Sequence, residues 1–216
     1  MFAPYHCIIM ANGAYPTAPL PLLCLHAASS VIACDGAAAS LHSRGIAPDA
    51  IVGDLDSLPQ ELRRLYADRL HHIAEQESND LTKAVRYAAG AGHREALILG
   101  ATGLREDHTL GNISLLLDYA ALMERIEMLT DYGLFTPVRH AAVFAAQPGS
   151  QVSIFAPRAG VRVSAGGLRW PLNDRSLDSW WQGSLNEATG SEFSLAVSGA
   201  GGAIVYRPLG PGKVQD

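Results

Sequence analysis

Ile51-Val52-Gly53-Asp54-Leu55-Asp56-Ser57 decides the reading of this chain. A short apolar run reads as a buried strand, and it ends on two aspartates separated by one residue. Alternate side chains of an extended backbone share a face, with Cα atoms roughly 6.5–7 Å apart. The Asp54 and Asp56 carboxylates are therefore expected to converge on one divalent cation, with oxygen ligands at about 2.1 Å if the ion is magnesium. Gly53 permits close approach to the backbone, and Ser57 is placed to cap a helix opened by Pro59. A polar, helix-capping loop is the competing reading of Asp-x-Asp-Ser.

On either side of this stretch, short apolar runs alternate with helical patterns over the first ~130 residues, as in βαβ units with a mainly parallel sheet. Strands are expected at Cys7–Met10, Val31–Cys34, Ala50–Val52, His72–Ala74, Ala96–Leu99 and Ile126–Leu129. Helices are expected at Leu20–Ala28, Ala37–Arg44, Gln60–Arg69, Asp80–Ala89 and His108–Glu124. After Asp131-Tyr132-Gly133 the pattern changes to short alternating runs, among them Val152–Phe155, Val161–Val163, Ser194–Val197 and Ala203–Tyr206, separated by Gly and Pro clusters. That pattern predicts an antiparallel β-sandwich. The expected organisation is an α/β catalytic domain over residues 1–135 and a β-sandwich domain over 138–216, with the boundary near Gly133–His140.

The 216 residues suffice for a substantial core, and 48% hydrophobic against 17% charged residues is a globular composition. A net charge of −5 without a Lys/Arg run argues against nucleic-acid or anionic-membrane partners. Cys7, Cys24 and Cys34 have no metal-type spacing and suit a reduced cytoplasmic protein. The first residues carry no basic n-region and Cys7–Met10 is too short for a signal h-region, so no signal sequence is expected, and no apolar run approaches the ~20 residues of a membrane span.

Ligands bind beyond the carboxyl ends of strands in an open parallel sheet. Asn12-Gly13, Asp35-Gly36, Gly53-Asp54-Leu55-Asp56, Glu77-Ser78-Asn79-Asp80 and Gly100-Ala101-Thr102-Gly103-Leu104-Arg105-Glu106-Asp107-His108 all fall there. Asn79 or Asp80 is expected to cap the helix that follows, with Lys83 one turn on. Gly100 to Gly103 reads as a phosphate-cradling turn and Arg105 as the forked cation for a phosphate. Asp107 reads as a helix N-cap or as a third metal carboxylate; His108 reads as an ordinary first-turn residue ahead of a catalytic one. Several carboxylates with one Arg and one Lys around a glycine-rich turn suit a metal-bound polyphosphate, whose transfer requires positioning and charge neutralisation.

In this order the motifs resemble the thiamine pyrophosphokinase family. The matching pieces are Asp35-Gly36, Gly53 to Ser57, Asn79 to Ala84, Arg105-Glu106-Asp107-His108 with Asn112, Gly167 to Leu172, and Gly183 to Glu187. The resemblance implies transfer of pyrophosphate from ATP to the thiamine hydroxyl, release of AMP, use of Mg2+, and a homodimer with thiamine at the subunit interface. It implies metal or phosphate-site roles for Asp54, Asp56 and Asp80, and ATP-site roles for Arg105 and Asp107. The strand-end residues Asn12, Asp35, Gly36, Lys83, Gly100 and His108 complete the expected ATP site. Asp80, Trp170 and Asn186 are expected at the acceptor, where Trp170 stacks on the cationic heterocycle; a core tryptophan is the competing reading. Asn79 stands where the family often has Thr, and Leu185 where it has Ser. A pyrophosphokinase of another hydroxymethyl heterocycle, such as a pterin, and a metal-dependent phosphohydrolase are the alternative activities.

Overall fold

The computed structural model describes residues 4–210, which divide into two compact units, one ending at Asp131 and one beginning at Tyr132. In the first unit the strands are β1 (Cys7–Met10), β2 (Ser30–Cys34), β3 (Ala50–Gly53), β4 (Leu70–His72), β5 (Glu95–Leu99) and β6 (Arg125–Leu129). Its helices are α1 (Pro19–Ala27), α2 (Ala37–His42), α3 (Gln60–Leu65), α4 (Asp80–Gly90) and α5 (Glu106–Tyr119). The strands pair in parallel in the order β6-β5-β1-β2-β3-β4. β1, β2, β3 and β5 are almost wholly buried, which explains their uninterrupted apolar runs.

The chain winds from β1 outward to β4, then crosses back to place β5 on the other side of β1. Loops leaving β1 and β5 therefore diverge, and the crevice opens at that switch point.

Three elements differ from expectation in placement or kind, besides end shifts of one or two residues such as α2 stopping at His42. β4 lies at Leu70–His72, two residues ahead of the predicted run, because this short edge strand is only partly buried and carries little apolar signal. α3 ends at Leu65, and Ala67–Arg69 form a 3-10 turn instead of continuing the helix. α5 starts at Glu106 and stops at Tyr119; the Glu124 amide then joins the Arg94 carbonyl (2.8 Å), next to β5 and β6.

The second unit stacks two antiparallel sheets. One has the order β12-β9-β14-β7, from β7 (Gly133–Val138), β9 (Gln151–Phe155), β12 (Asn186–Glu187) and β14 (Ala203–Pro208). The other has the order β11-β10-β13-β8, from β8 (Ala141–Ala145), β10 (Arg162–Gly166), β11 (Leu172–Ser176) and β13 (Glu192–Ser198). Its core joins residues such as Val152, Ile154, Val163, Phe193, Leu195 and Val205, with Phe144 and Phe193 stacked at 4.9 Å. The segment from Gly133, where the sequence suggests a boundary, is strand β7; Pro137 masks it, although the residue is tolerated opposite Ile204.

Candidate active site

A cleft of about 330 Å³ lies beyond the ends of β1 and β5. Among its lining residues are Asn12, Ser57, Asn79, Asp80, Arg105, His108 and Asn112. The two loops are interlocked: Gly13 N donates to Gly100 O (2.7 Å) and Ala14 N to Thr102 O (2.8 Å). Gly100 has φ +65°, and a Cβ there would lie 2.7 Å from the Ala11 carbonyl oxygen, so only glycine fits the crossing.

The acidic centre is built from three strand-end residues. Carboxylate oxygens of Asp35, Asp54 and Asp56 all lie within 4.8 Å of one another. Asp35 follows β2, whose Cys34 pairs with Val52 of β3, so adjacent strands deliver the carboxylates to one place. Asp54 and Asp56 do not converge by strand alternation. β3 ends at Gly53, and Leu55 between them takes φ +64° while its side chain is buried. A left-handed leucine costs about 1–2 kcal/mol, a strain found where the surroundings dictate the conformation. Here Arg63 fixes the turn by donating to the carbonyl oxygens of Leu55 and Leu58. Asp35 itself has φ +36°.

Each carboxylate is aimed by a neighbour. Gln76 donates to Asp54 Oδ2 (2.9 Å), Ser57 Oγ to Asp56 Oδ1 (2.9 Å) and Ser57 N to Asp35 Oδ2 (3.0 Å). Asp35 Oδ1 is buried without a partner in a residue only 1% exposed. Burial, then the charges of Asp80, Asp56 and Asp54, push the Asp35 carboxyl up to about 6 against the one backbone bond that lowers it. The Asp54 carboxyl is held below its usual range, chiefly by the bond from Gln76. An orphaned buried oxygen within a carboxylate trio suits a hard divalent cation.

Asp80, expected with Asp54 and Asp56, is not part of this trio. Its Oδ1 is bound to the buried Lys83 ammonium at 3.1 Å, because both side chains start the same helix one turn apart. It remains a close neighbour: a Cβ on Gly53 would meet Asp35 Cβ at 2.9 Å and Asp80 Oδ1 at 3.1 Å. Asn79, and not Asp80, caps α4 through Thr82 N (2.9 Å). Gly36 leaves room for the Asn12 amide, whose Nδ2 lies 2.7 Å from where a Cβ would stand.

Asp107 is not the N-cap of the helix it precedes in the sequence reading. Arg105 occupies the N-cap position of α5, and Asp107 in the first turn grips that guanidinium through two contacts of 3.1 and 2.6 Å. That grip, with the His108 amide at 2.9 Å, lowers the Asp107 carboxyl to about 2. Arg105 is thereby oriented on the cleft wall, and His108 sits beside it in the first helical turn.

In the second unit Trp170 is 55% exposed, which excludes the core reading. Asn186, expected at the acceptor, has its side-chain amide on the Trp170 backbone: it accepts from Trp170 N (3.1 Å) and donates to Trp170 O (2.7 Å). Asn186 is 5% exposed and holds Trp170 in place. Arg169 lies 5.0 Å from the Trp170 ring centroid, and Leu185 is exposed with φ +56°.

Two contributions escaped the sequence reading. Asp35, expected only as an ATP-site residue, lies with the Asp54 and Asp56 carboxylates, which the β2–β3 register discloses. Asp131 accepts from Thr17 N, Thr17 Oγ1 and Ala18 N (3.0, 2.5 and 3.0 Å), tying the residues just ahead of α1 to the last residue of the unit. No local pattern signals it.

Residues 23–129 match the model of the thiamin pyrophosphokinase catalytic domain, and residues 133–206 that of the thiamin pyrophosphokinase substrate-binding domain. The chain belongs to the thiamin pyrophosphokinase family. It is 31% identical over 150 residues to thiamine pyrophosphokinase 1 of Oryza sativa subsp. japonica, covering 60% of this chain and 54% of that protein. It is 38% identical over 89 residues to thiamine pyrophosphokinase of Bacillus subtilis, covering 39% and 42%. The chain thus spans about half the length of the curated relatives it matches. Its fold is that of thiamin pyrophosphokinase from Geobacillus thermodenitrificans (TM-score 0.75, 24% identity, 94% of this chain and 97% of that one). The Candida albicans enzyme also shares the fold (TM-score 0.71, 16% identity, 94% and 89%). The acidic trio and most of the cleft lining fall in the stretch matched to the catalytic domain, and Trp170 in that matched to the substrate-binding domain.

Proposed function

We propose that the protein is a thiamine diphosphokinase, transferring the pyrophosphoryl group of ATP to the hydroxyl of thiamine and releasing AMP. The observation that carries this reading is the orphaned, buried Asp35 oxygen within the carboxylate trio beside the switch-point cleft, in a chain of this family. Mg2+ held by Asp35, Asp54 and Asp56 would neutralise phosphate charge there. In the reaction the acceptor oxygen bonds to the β-phosphorus, the bond from that phosphorus to the bridging oxygen breaks so that this oxygen leaves with AMP, and the hydroxyl proton is released to solvent. The chain's own residues bind and orient. Arg105, aimed by Asp107, and Lys83, paired with Asp80, supply the fixed positive charge an acidic protein otherwise lacks. Asn12, Ala101 and Thr102 line the same cleft. Exposed Trp170, its backbone clamped by Asn186, presents a flat ring to the thiazolium cation.

The same reading assigns a homodimer acting in the cytoplasm. Among the described residues, no helix is long and apolar enough to cross a membrane. The test is AMP release with ATP and Mg2+, with and without thiamine and with chelator. AMP appearing only with thiamine and metal supports the proposal; phosphate release without acceptor identifies a phosphohydrolase and refutes it.

A further inference from the structure

Asn79 and Asn112 both line the cleft and belong to one hydrogen-bonded chain along the seam between α4 and α5. The Thr82 hydroxyl donates to Asn79 Oδ1 at 2.7 Å, which leaves the Tyr119 hydroxyl, at 2.8 Å, as donor to Thr82 Oγ1. Asn79 Oδ1 also accepts from Thr82 N, so its amide nitrogen turns toward α5 and donates to Asn112 Oδ1 at 3.1 Å. Asn112 Nδ2 then donates to Ala101 O at 2.9 Å, in the turn after β5. A carbonyl at one end and a backbone amide inside the chain leave a single polarity for every member.

The spacing makes this possible. Thr82 lies one turn beyond the Asn79 cap of α4, and Asn112 and Tyr119 lie about two turns apart on α5, so each pair shares a helix face. Apolar side chains would bury the seam as well but tolerate small slides, whereas directional bonds admit one register. That register matters because α4 starts with Asp80 and the Lys83 partner, while the turn after β5 leads into Arg105.

We propose that Tyr119, Thr82 and Asn112 are positioning residues whose seam sets the separation of the Asp80–Lys83 wall from the turn that carries Arg105, and so the fit of the cleft to a polyphosphate. Tyr119 and Thr82, 1% and 8% exposed, act only through the two asparagines. The kinetic side of this inference rests on the nucleotide reading of the cleft; the mechanical side does not.

The experiment compares Tyr119→Phe, Asn112→Ala and their double variant by ATP kinetics, by thermal melts, and by hydrogen exchange of the unliganded turn after β5. Tyr119→Phe should melt within a few degrees of wild type yet exchange the turn at least ~3-fold faster and raise KM for ATP about 5-fold, with kcat less affected. Asn112→Ala should raise KM about 20-fold, and the double variant should be no worse, because the chain is already cut. Asn112→Asp, which keeps the size but loses the donor to Ala101, should match Asn112→Ala. Unchanged exchange of the turn in Tyr119→Phe, or losses that multiply in the double variant, overturn the proposal. So does a lowered melt with exchange and KM unmoved, which marks a purely structural tyrosine. If the wild type makes no thiamine diphosphate, the functional reading fails, while the exchange measurement still decides the seam.

Discussion

Asp35→Asn should stabilise the metal-free protein while removing its response to Mg2+. Asp35 is 1% exposed, one of its oxygens has no partner, and burial together with three neighbouring aspartates raises its carboxyl from 3.8 to about 6. In the unfolded chain the group ionises at its ordinary value, so below that pH it is protonated in both states and has no effect. Between the two values the unfolded state gives up its proton first and the folded state loses stability; above about 6 the full penalty persists. Roughly two pH units at about 1.4 kcal/mol each is ~3 kcal/mol, of which ~2–3 should be recovered by a neutral amide that still accepts from Ser57 N. The new amide also faces the Asp54 and Asp56 carboxylates, whose oxygens lie within 4.8 Å, without adding a third negative charge. For a chain of this size ~2–3 kcal/mol corresponds to a melting-temperature rise of roughly 5–10 °C near neutral pH, vanishing near pH 4. Thermal melts in chelator across this range, then with Mg2+, measure it. Wild type should gain stability with the metal and the variant little. A variant less stable than wild type at neutral pH in chelator would show that Asp35 is held by partners and not strained by its neighbours.

Asp54→Asn and Asp56→Asn each remove a carboxylate without changing volume, and should lower turnover at least ~10²-fold with the fold intact; wild-type rates in either would remove the metal reading. Trp170→Ala should raise KM for thiamine about 10-fold with that for ATP little changed, and because the ring is 55% exposed the melt should move little; both constants shifting with a large fall in melting temperature would contradict it. Gly53→Ala places a methyl 2.9 Å from Asp35 Cβ and 3.1 Å from Asp80 Oδ1, so stability should fall by about 1–3 kcal/mol and activity with it; a denaturation midpoint equal to wild type would refute the crowding.

The strands of the first unit were legible because fully buried parallel strands are written as unbroken apolar runs, as in Cys7–Met10 and Glu95–Leu99. Leu70–His72 was misplaced because an edge strand needs no such run. Asp54 and Asp56 were legible as a pair, but the device that joins them was not. A left-handed Leu55 is imposed by Arg63 and by burial of the side chain, and neither has a local signature. Asp80 was legible as a neighbour of this centre but not its contact with Lys83, and the approach of Asp35 to Asp54 and Asp56 comes through strand register, a tertiary property. The contacts of Asn186 with the Trp170 backbone were not legible either, since a buried amide used on a backbone looks from sequence like one facing outward.

The central claim is transfer of two phosphoryl groups together from ATP to thiamine in the presence of Mg2+. It is tested most directly by supplying ATP labelled at the γ-phosphate and following the label. The account predicts that the label appears in thiamine diphosphate, with one unlabelled AMP formed for each. Label recovered as free phosphate, or in thiamine monophosphate with ADP as the co-product, would contradict it.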